Sequence, residues 1–435
     1  MLWQIVGMLA VVTAIALSIA LHEFGHLVPA KRFGVRVSDY AIGFGPSLYS
    51  RRFGETLFAI RAIPLGGFIR MIGMYPPARR EARKGRLARL AEEARAESMS
   101  EVLPSDAGRT FYELPLLKRV VIMLGGPFMN LAFATVLFGI ALVGIGVAGP
   151  TTTIATASPC WFTDKNPDGQ FNKSGACDGE DSAANQAGLT KGQTIVAING
   201  MPVDDWAALG PIMEKVAARG ASGRITIRNA DGTEFTKPVT FQIMTLDRYD
   251  DMGNKTGETV KRAIIGVTSE WKPQHLPITT VPRIMWSMTV SSVHAMTQFP
   301  TKVFELGKTL VTDGTRDPNG PVSVVGVTRI GGEIAAAPTG LTDKVLSLLY
   351  LAGSLNLFLF LFNLLPLLPL DGGHVAAAGW EALRDAARRL RGRTRGGPVD
   401  TARLLPLTYA MSSLLIGFGA LVIWADIVKP ITLGG

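Results

Sequence analysis

The chain has 435 residues, of which 47% are hydrophobic and 18% are charged, with a mean hydropathy of +0.26 and a formal net charge of +9. An intrinsically disordered chain is excluded, because disordered chains combine low hydrophobicity with a high density of charge. A single soluble domain is disfavoured as well, since about a quarter of the residues of an ordinary soluble domain are charged.

The apolar residues are gathered in blocks that contain no Asp, Glu, Lys or Arg: residues 2–21, 120–149, 345–370 and 404–425. Each block is long enough to cross roughly 30 Å of bilayer hydrocarbon as a helix, which takes about 20 residues. A cleaved secretory signal explains the first block less well, because no Lys or Arg precedes Lys31 and the apolar run ends in His-Glu-Phe-Gly-His. The sequence therefore predicts a polytopic α-helical membrane protein with four transmembrane helices.

The loops between these blocks differ in charge. Basic residues are concentrated between Lys31 and Arg95 in the first loop and between Arg384 and Arg395 in the third, whereas the large middle loop is nearly balanced. The positive-inside rule therefore places the two basic loops in the cytoplasm, and both termini and the large loop outside. Orientation and contact with anionic membrane lipid explain the net positive charge. No nucleic-acid partner is expected.

The segments next to the spans have their own patterns. Residues 35–44 and 57–61 are apolar or alternating and are separated by glycines, which is typical of short strands joined by turns in a small sheet. Residues 76–103 are rich in Ala, Arg and Glu and predict an exposed cytoplasmic helix with a solvated charged face. Residues 273–307 mix Trp and Met with polar residues and predict an amphipathic helix.

The large outer loop contains a compact series of turns and a strand. Between Asn185 and Val203, an Ala-Gly-Leu turn and a Lys-Gly-Gln turn precede an apolar strand and an Asn-Gly turn. This series resembles a single PDZ domain of the kind found in bacterial membrane and periplasmic proteases. PDZ grooves bind extended peptide by adding a strand to a sheet edge. A spacer or steric plug without affinity for peptide is the alternative.

The chain has two cysteines, Cys160 and Cys177, and both fall in the loop that the charge bias places outside. Disulfides form in oxidising compartments, and one across this short separation stabilises the fold by roughly 3 kcal/mol. The sequence therefore predicts a disulfide between Cys160 and Cys177, with two free thiols as the alternative.

The end of the first span carries an H-E-x-x-H motif, His22-Glu23-Phe24-Gly25-His26. Residues i and i+4 lie on one face of a helix, so both imidazoles can bind one zinc ion while Glu23 lies beside it as a general base. Ionisable residues at the end of an apolar span are costly to bury and indicate function. Two histidines and a glutamate at a hydrated helix end are the alternative.

A catalytic zinc ion takes three protein ligands and keeps one position open. The candidate for the third ligand is Asp371, after the third span, because spans one and three run in the same direction and end at the same depth. Prolines at 366 and 369 break the helix there, and the glycines at 372 and 373 allow a close turn. An N-cap role is the alternative for Asp371. His374 is interpreted as a supporting or structural residue, since a fourth ligand would close the site to water.

Together these motifs resemble the site-2 protease family of intramembrane zinc metalloproteases. The resemblance covers nearly the whole chain and rests on H-E-x-x-H, on Gly126-Pro-Phe-Met-Asn130 in the second span and on Asn363…Leu-Asp371-Gly-Gly in the third. The single PDZ-like copy, the cysteine pair and the segment 316–326 are most similar to the actinobacterial branch. The enteric type has two PDZ domains, so its selectivity is not carried over.

The resemblance implies roles for the site residues. His22, His26 and Asp371 would bind one Zn²⁺, and Glu23 would be the general base. Asn363 would contact the substrate or the developing oxyanion, with a helix-packing amide as the alternative. The small sheet would dip into the membrane and pair with the unwound substrate.

The resemblance also implies a place in regulated intramembrane proteolysis at the bacterial plasma membrane. The substrates would be single-span membrane proteins already cut by an upstream site-1 protease, especially anti-sigma factors and, as a further class, remnant signal peptides. Cleavage would occur within the membrane near its cytoplasmic side.

The full expectation follows the chain in nine segments. These are the first transmembrane helix (1–32), a membrane-associated β-sheet (33–72), a cytoplasmic basic loop (73–117), the second transmembrane helix (118–150), an extracytoplasmic PDZ domain (151–272), an amphipathic helix with a following turn-rich segment (273–340), the third transmembrane helix with the Leu-Asp-Gly-Gly motif (341–378), a second basic loop (379–403) and the fourth transmembrane helix (404–428).

Two other classes of protein compete with the protease. An inactive membrane scaffold would keep the spans but typically lose a ligand or the base, whereas all four residues are present here. A transporter would be expected to show inverted repeats and charged groups near the middle of the bilayer. The sequence has no internal repeat, and its ionisable residues lie at the ends of the spans.

Overall fold

The computed structural model describes residues 1–77, 86–160, 181–249, 255–312, 314, 316–318, 320–394 and 396–432. They form two compact units, a helical unit of residues 1–145 and 277–435 and a β-rich unit of residues 146–276. The helices are α1 (Leu2–Arg32), α2 (Arg86–Ser100), α3 (Leu116–Gly139), α4 (Ala183–Gln186), α5 (Trp206–Arg219), α6 (Thr280–Thr297), α7 (Phe299–Val311), α8 (Val324–Ala336), α9 (Leu341–Asn363), α10 (Asp371–Leu390) and α11 (Leu405–Val428). The strands are β1 (Val37–Phe53), β2 (Thr56–Met71), β3 (Val147–Ala157), β4 (Thr194–Ile198), β5 (Met201–Pro202), β6 (Ser222–Arg228), β7 (Glu234–Thr240), β8 (Gln242–Tyr249), β9 (Lys255–Ile264) and β10 (Val267–Gln274).

Among the described residues of the helical unit, four helical segments are long and apolar enough to cross a membrane, as predicted. They are Leu2–Arg32, Leu116–Ile145, Leu341–Asn363 and Thr401–Val428. The second includes a π-helical extension of α3, Ile140–Ile145. It ends where Gly146 adopts a φ of +84°, a left-handed conformation that commonly terminates helices, so β3 already begins within the segment predicted as the second span.

Close helix crossings hold α1 in the unit. Glycines allow these crossings, because a β-carbon at Gly25 would lie 2.2 Å from the carbonyl oxygen of Gly125 on α3. Near the other end of α1, a β-carbon at Gly7 would lie 2.2 Å from the carbonyl oxygen of Gly331 on α8. Backbone contact this close is open only to residues without side chains, so the positions of α3 and α8 against α1 are fixed by these glycines.

The predicted sheet after the first span is a long hairpin of β1 and β2. The first part of β1 is paired along both of its sides, since Ala41 has both Phe68 and Ala59 of β2 as partners. Residues 63–71 of β2, however, pair with β1 along one side only. A strand edge of this kind can accept a further strand.

The structure divides two segments that the sequence analysis treated as single elements. The predicted span 341–378 is α9 followed by a turn and α10, because prolines at 366 and 369 cannot donate the helical hydrogen bonds. Much of the predicted basic loop 379–403 therefore belongs to α10. The described residues of the segment 273–340 form the helices α6, α7 and α8, where one amphipathic helix was predicted.

The predicted helix over 76–103 also differs from expectation. It is α2, and one of its faces is packed: Ala91 is buried against Ala402 and Leu405. Arg95 on α2 is buried and forms an ion pair with Asp400 at 2.5 Å. The prediction of a fully solvated charged face was therefore wrong, because composition does not reveal which arginine finds a buried carboxylate.

The β-rich unit is an antiparallel sheet in the order β10-β3-β4-β6-β7, with β5 paired to β4 and with β8 and β9 forming a separate hairpin. Its core contains isoleucines that alternate along the strands, such as Ile225 and Ile227 of β6, together with Leu209 and Met213 of α5. Asn199 and Gly200, between β4 and β5, both have positive φ, as an Asn-Gly hairpin turn requires.

Cys160, one half of the predicted disulfide, is buried in the β-rich unit beside a β-bridge to Asp181. Cys177 lies outside the described residues. The pairing of the two cysteines therefore stays a prediction.

Candidate metal centre

The H-E-x-x-H motif lies in the last third of α1. His22 and His26 are one helical turn apart, and their Nε2 atoms approach to 3.2 Å. His26 is buried, whereas His22 is half-buried. The helical spacing thus aims both imidazoles at one point, as predicted from i and i+4.

Asp371 reaches the same point from a different part of the chain. It is the first residue of α10, directly after the proline-containing turn that follows α9. Its Oδ2 atom lies 3.2 Å from Nε2 of His22 and 3.4 Å from Nε2 of His26. The structure therefore brings His22, His26 and Asp371 together, although 345 residues separate the last two (371 minus 26).

The protonation of these groups favours a cation between them. Nδ1 of His26 lies 2.8 Å from the carbonyl oxygen of Ile122 on α3, and a carbonyl can only accept, so Nδ1 carries the proton. Nε2 of the neutral His26 ring then presents a lone pair toward His22 and Asp371. A carboxylate has only lone pairs to offer as well. Lone pairs converging in a buried site repel one another unless a cation lies between them.

The spacing of the three atoms fits zinc. Ligands about 2.0–2.1 Å from a tetrahedral zinc ion lie about 3.3 Å from one another. The three observed separations are 3.2, 3.2 and 3.4 Å. Two imidazoles and one carboxylate also form a ligand set that catalytic zinc sites use, with a fourth position left open. The donor set therefore fits a catalytic zinc ion.

Glu23 lies beside this cluster and faces the hairpin. A β-carbon at Gly67 of β2 would lie 2.9 Å from Cγ of Glu23, and the backbone of Ile69 hydrogen-bonds the Glu23 carboxylate. Tyr40 of β1 donates its hydroxyl to the carbonyl oxygen of Ala20 at 2.7 Å. Burial, with the nearby Glu23 charge adding to it, raises the pKa of Tyr40 to about 12. The candidate base thus lies between the metal cluster and β2.

The glycines of α3, for which the sequence predicts no role, shape the centre. A β-carbon at Gly126 would lie 2.2 Å from Nε2 of His26 and 2.8 Å from Cε1 of His22. Gly125 makes the crossing with Gly25 on the same side. The sequence signal was present in the Gly125-Gly126-Pro127 run, but which helix it would meet depends on packing.

Two other residues singled out in the sequence do not join the cluster. Asn363 is the half-buried last residue of α9, and its role in substrate contact stays a prediction. His374, one turn beyond Asp371, is outside the ligand group and lines a small cavity of about 30 Å³. The same cavity is lined by Arg119 of α3 and Glu381 of α10, which form an ion pair at 2.6 Å. This ion pair ties α10 to α3.

The chain is similar to known zinc metalloproteases. Residues 10–405 match the model of peptidase family M50. The chain is 32% identical over 440 residues to zinc metalloprotease Rip1 of Mycobacterium tuberculosis, covering 99% of both chains. It is 32% identical over 439 residues to zinc metalloprotease Rip1 of Mycolicibacterium smegmatis, covering 98% of both chains.

Proposed function

The chain belongs to peptidase family M50, and we propose that His22, Glu23, His26 and Asp371 cleave the transmembrane segment of single-span proteins that another protease has already trimmed. Membership makes it a membrane-bound zinc metalloprotease of the site-2 type. The proposal rests on the convergence of two imidazoles and one carboxylate beside a glutamate, because an inactive scaffold would not require this arrangement. The substrates and the order of cleavage are the parts that go beyond membership.

In this proposal the residues divide the chemistry. His22, His26 and Asp371 would hold a zinc ion, which would supply Lewis-acid chemistry to the scissile carbonyl and to water. The Glu23 carboxylate takes the proton of the attacking water and delivers it to the leaving amine. Its hydrogen bond to the backbone of Ile69 orients it for this transfer.

Cleavage of a transmembrane helix requires that it be unwound first, because its carbonyls are hydrogen-bonded within the helix. The one-sided pairing of residues 63–71 of β2 supports a role in holding the unwound chain. This edge passes Glu23, so a strand added there would bring its carbonyls to the candidate base. Irregular backbone at membrane depth is tolerated where protein covers it.

The β-rich unit supports the requirement for trimmed substrates. A groove of about 720 Å³ runs between α5 and the start of β10, lined by Leu209, Met213 and Gly266 among others. Since β10 ends the sheet order in the described part of this unit, its outer side can accept an extended peptide. We assign this unit as a PDZ domain that receives the new end of a cut ectodomain, with bulk exclusion as the alternative.

The proposed topology follows the charge bias, with both termini and the β-rich unit extracytoplasmic and the centre near the cytoplasmic side. Reporter fusions test this directly. Alkaline phosphatase fused after residue 428 is expected to be active, and the same reporter inserted at residue 392 is expected to be inactive. The opposite pattern would show that the topology is inverted. The β-rich unit would then lie in the cytoplasm, where it could not meet the cut end of an extracytoplasmic domain.

The function is tested with purified full-length protein and a tagged single-span substrate, offered with and without its ectodomain. Wild type is expected to cut only the trimmed form. Glu23→Gln is expected to retain about one zinc and lose cleavage by about 10²–10⁴-fold. Glu305→Gln, an exposed glutamate on α7, is the matched control and should cut like wild type.

Other outcomes are equally decisive. Equal cleavage by wild type and Glu23→Gln would overturn the assignment of the base. Equal cleavage of trimmed and intact substrate would overturn the order of cleavage while leaving the protease in place. Zinc-loaded wild type that cuts neither anti-sigma factors nor remnant signal peptides would contradict the substrate class.

A further inference from the structure

The helix that begins with Asp371 presents an exposed apolar face. On α10, residues about 3.6 apart recur on one side, so one 120° sector of the helix is covered by a single set of residues. From Ala376 to the end of the helix, every residue in this sector is exposed and uncharged: Ala376, Gly379, Trp380, Leu383, Ala386, Ala387 and Leu390. The exposed fractions of Trp380, Leu383 and Leu390 are 63%, 68% and 90%. So much exposed apolar surface on one helix indicates a contact.

The opposite face of α10 accounts for its attachment to the protein. Ala378 and Glu381 are buried there, and Glu381 binds Arg119 of α3 and the backbone N–H of Val399. The helix is therefore packed against the rest of the protein, and its apolar face is exposed although the opposite face has partners. The helix is held on one side and exposed on the other.

Exposed arginines lie outside the apolar face in both directions around the helix. At 100° per residue, Arg391 at the C-cap falls about 20° beyond one edge of the face, and Arg389 falls about 60° beyond the other. An apolar face flanked by arginines, with a tryptophan among its residues, is typical of helices that lie in the interface of an anionic membrane. Arginine can keep its charged head at the lipid phosphates while its stem lies along apolar surface.

Short connections keep this face near the bilayer. Residues 364–370 alone separate the end of the candidate span α9 from α10, and α11, the next candidate span, begins at Leu405. We propose that the exposed face of α10 docks on the anionic headgroup region of the membrane and thereby fixes the helix that carries Asp371. The occupant is an anionic phospholipid surface, chosen over a protein partner because of the flanking charges and these tethers.

Trp380 gives a direct readout of this contact. The full-length protein and Trp380→Phe are placed in nanodiscs whose lipids carry bromine near the headgroup end of the acyl chains. The difference between the two emission spectra isolates Trp380. We expect bromine to quench this difference by about half or more, as for a residue at the acyl boundary. An unquenched Trp380 would overturn the proposal.

The preference for anionic lipid is tested with the same readout. At equal mole fraction, brominated phosphatidylglycerol is expected to quench Trp380 more than brominated phosphatidylcholine. Arg389→Gln with Arg391→Gln should reduce this preference by about fivefold per charge. Lys191→Gln with Arg219→Gln, two exposed cations of the β-rich unit, changes the net charge equally and should leave it intact. Zinc content of every variant verifies that the helical unit is folded.

Two results would contradict the anionic surface. Equal quenching by both lipids would mean that apolar contact alone holds α10. A Trp380 that is shielded in both lipids, together with a dimer that Leu383→Ser dissociates, would assign the face to a second copy of the chain.

Discussion

The helical unit contains two buried polar clusters that look alike in composition and differ in how their atoms are satisfied. At one end of α1, Nε2 of His22, Nε2 of His26 and Oδ2 of Asp371 lie within 3.4 Å of one another. At the end of α11, Asp426 accepts from Arg316 at 2.6 Å and from the backbone and hydroxyl of Ser323 at 2.7 and 2.5 Å. The first carboxylate faces two imidazoles, which are metal ligands when neutral, whereas the second faces a guanidinium and two further donors.

This difference distinguishes a metal-ligand site from a structural joint, by which we mean the buried contacts of Asp426 with Arg316 and Ser323. A buried carboxylate that meets a guanidinium and two further donors is complete within the protein. Two imidazoles and a carboxylate that converge on one point form a ligand set for a metal ion. We therefore expect the Asp371 cluster to control activity and the Asp426 cluster to control stability, and substitutions in each should separate the two.

The largest effect is expected for Asp371→Ala. Cleavage should fall by about 1000-fold or more, since the chemistry of the ion is worth several kcal/mol, and bound zinc should fall with it. The thermal midpoint of the metal-free protein should change little, because the Asp371 carboxylate contacts two imidazoles and not a permanently charged guanidinium. Metal analysis and a thermal scan after chelation measure both. A lower midpoint without metal would place this cluster with the structural joint.

Asp426→Ala should give the reverse pattern. Arg316 and Asp426 are 5% and 2% exposed, and removal of one partner of a buried pair costs about 3–5 kcal/mol because the other charge is left unpaired. The free energy of unfolding in detergent should fall accordingly, while protein that remains folded keeps its zinc. Loss of zinc at temperatures where the variant is folded would contradict a purely structural role.

The two clusters also show how far the sequence could be read. The spacing of His22 and His26 placed them on one face because helix geometry is local, and the direction of the spans brought Asp371 to them. The partner of Asp426 could not be predicted: the uncharged block ended at residue 425, one position before it, and nothing local links it to Arg316. Long-range pairing depends on helix packing, which hydrophobic periodicity does not specify.

Gly126→Ala tests the packing behind the metal cluster and should have an intermediate effect. The new β-carbon would lie 2.2 Å from Nε2 of His26, so the imidazole must move. Displacement of a ligand through its surroundings typically costs 10–100-fold in metal affinity, which competition with a chelator measures. Gly139→Ala is the control on the same helix, because no atom lies within 4 Å of its β-carbon position. Equal affinities of the two variants would mean that α3 does not set the imidazole positions.

The smallest effect is expected for Tyr40→Phe. Tyr40 lies beside the metal cluster, but its hydroxyl has a hydrogen-bond partner within the protein, as the Asp426 carboxylate does. Loss of the 2.7 Å hydrogen bond to Ala20 should cost about 1 kcal/mol of stability and leave zinc content unchanged. Because the pKa of Tyr40 is raised from 10.0 to about 12 in the folded protein, this stabilisation is fully present below about pH 10 and is lost as the pH rises through 12. The difference from wild type should therefore be constant between about pH 6 and 9 and should shrink above pH 10.

Tyr49→Phe, at an exposed position of the same hairpin, should match wild type. A large loss of zinc in Tyr40→Phe would mean that a residue outside the metal cluster, with its own hydrogen bond in place, controls metal binding. The separation between the metal cluster and structural hydrogen bonds would then fail.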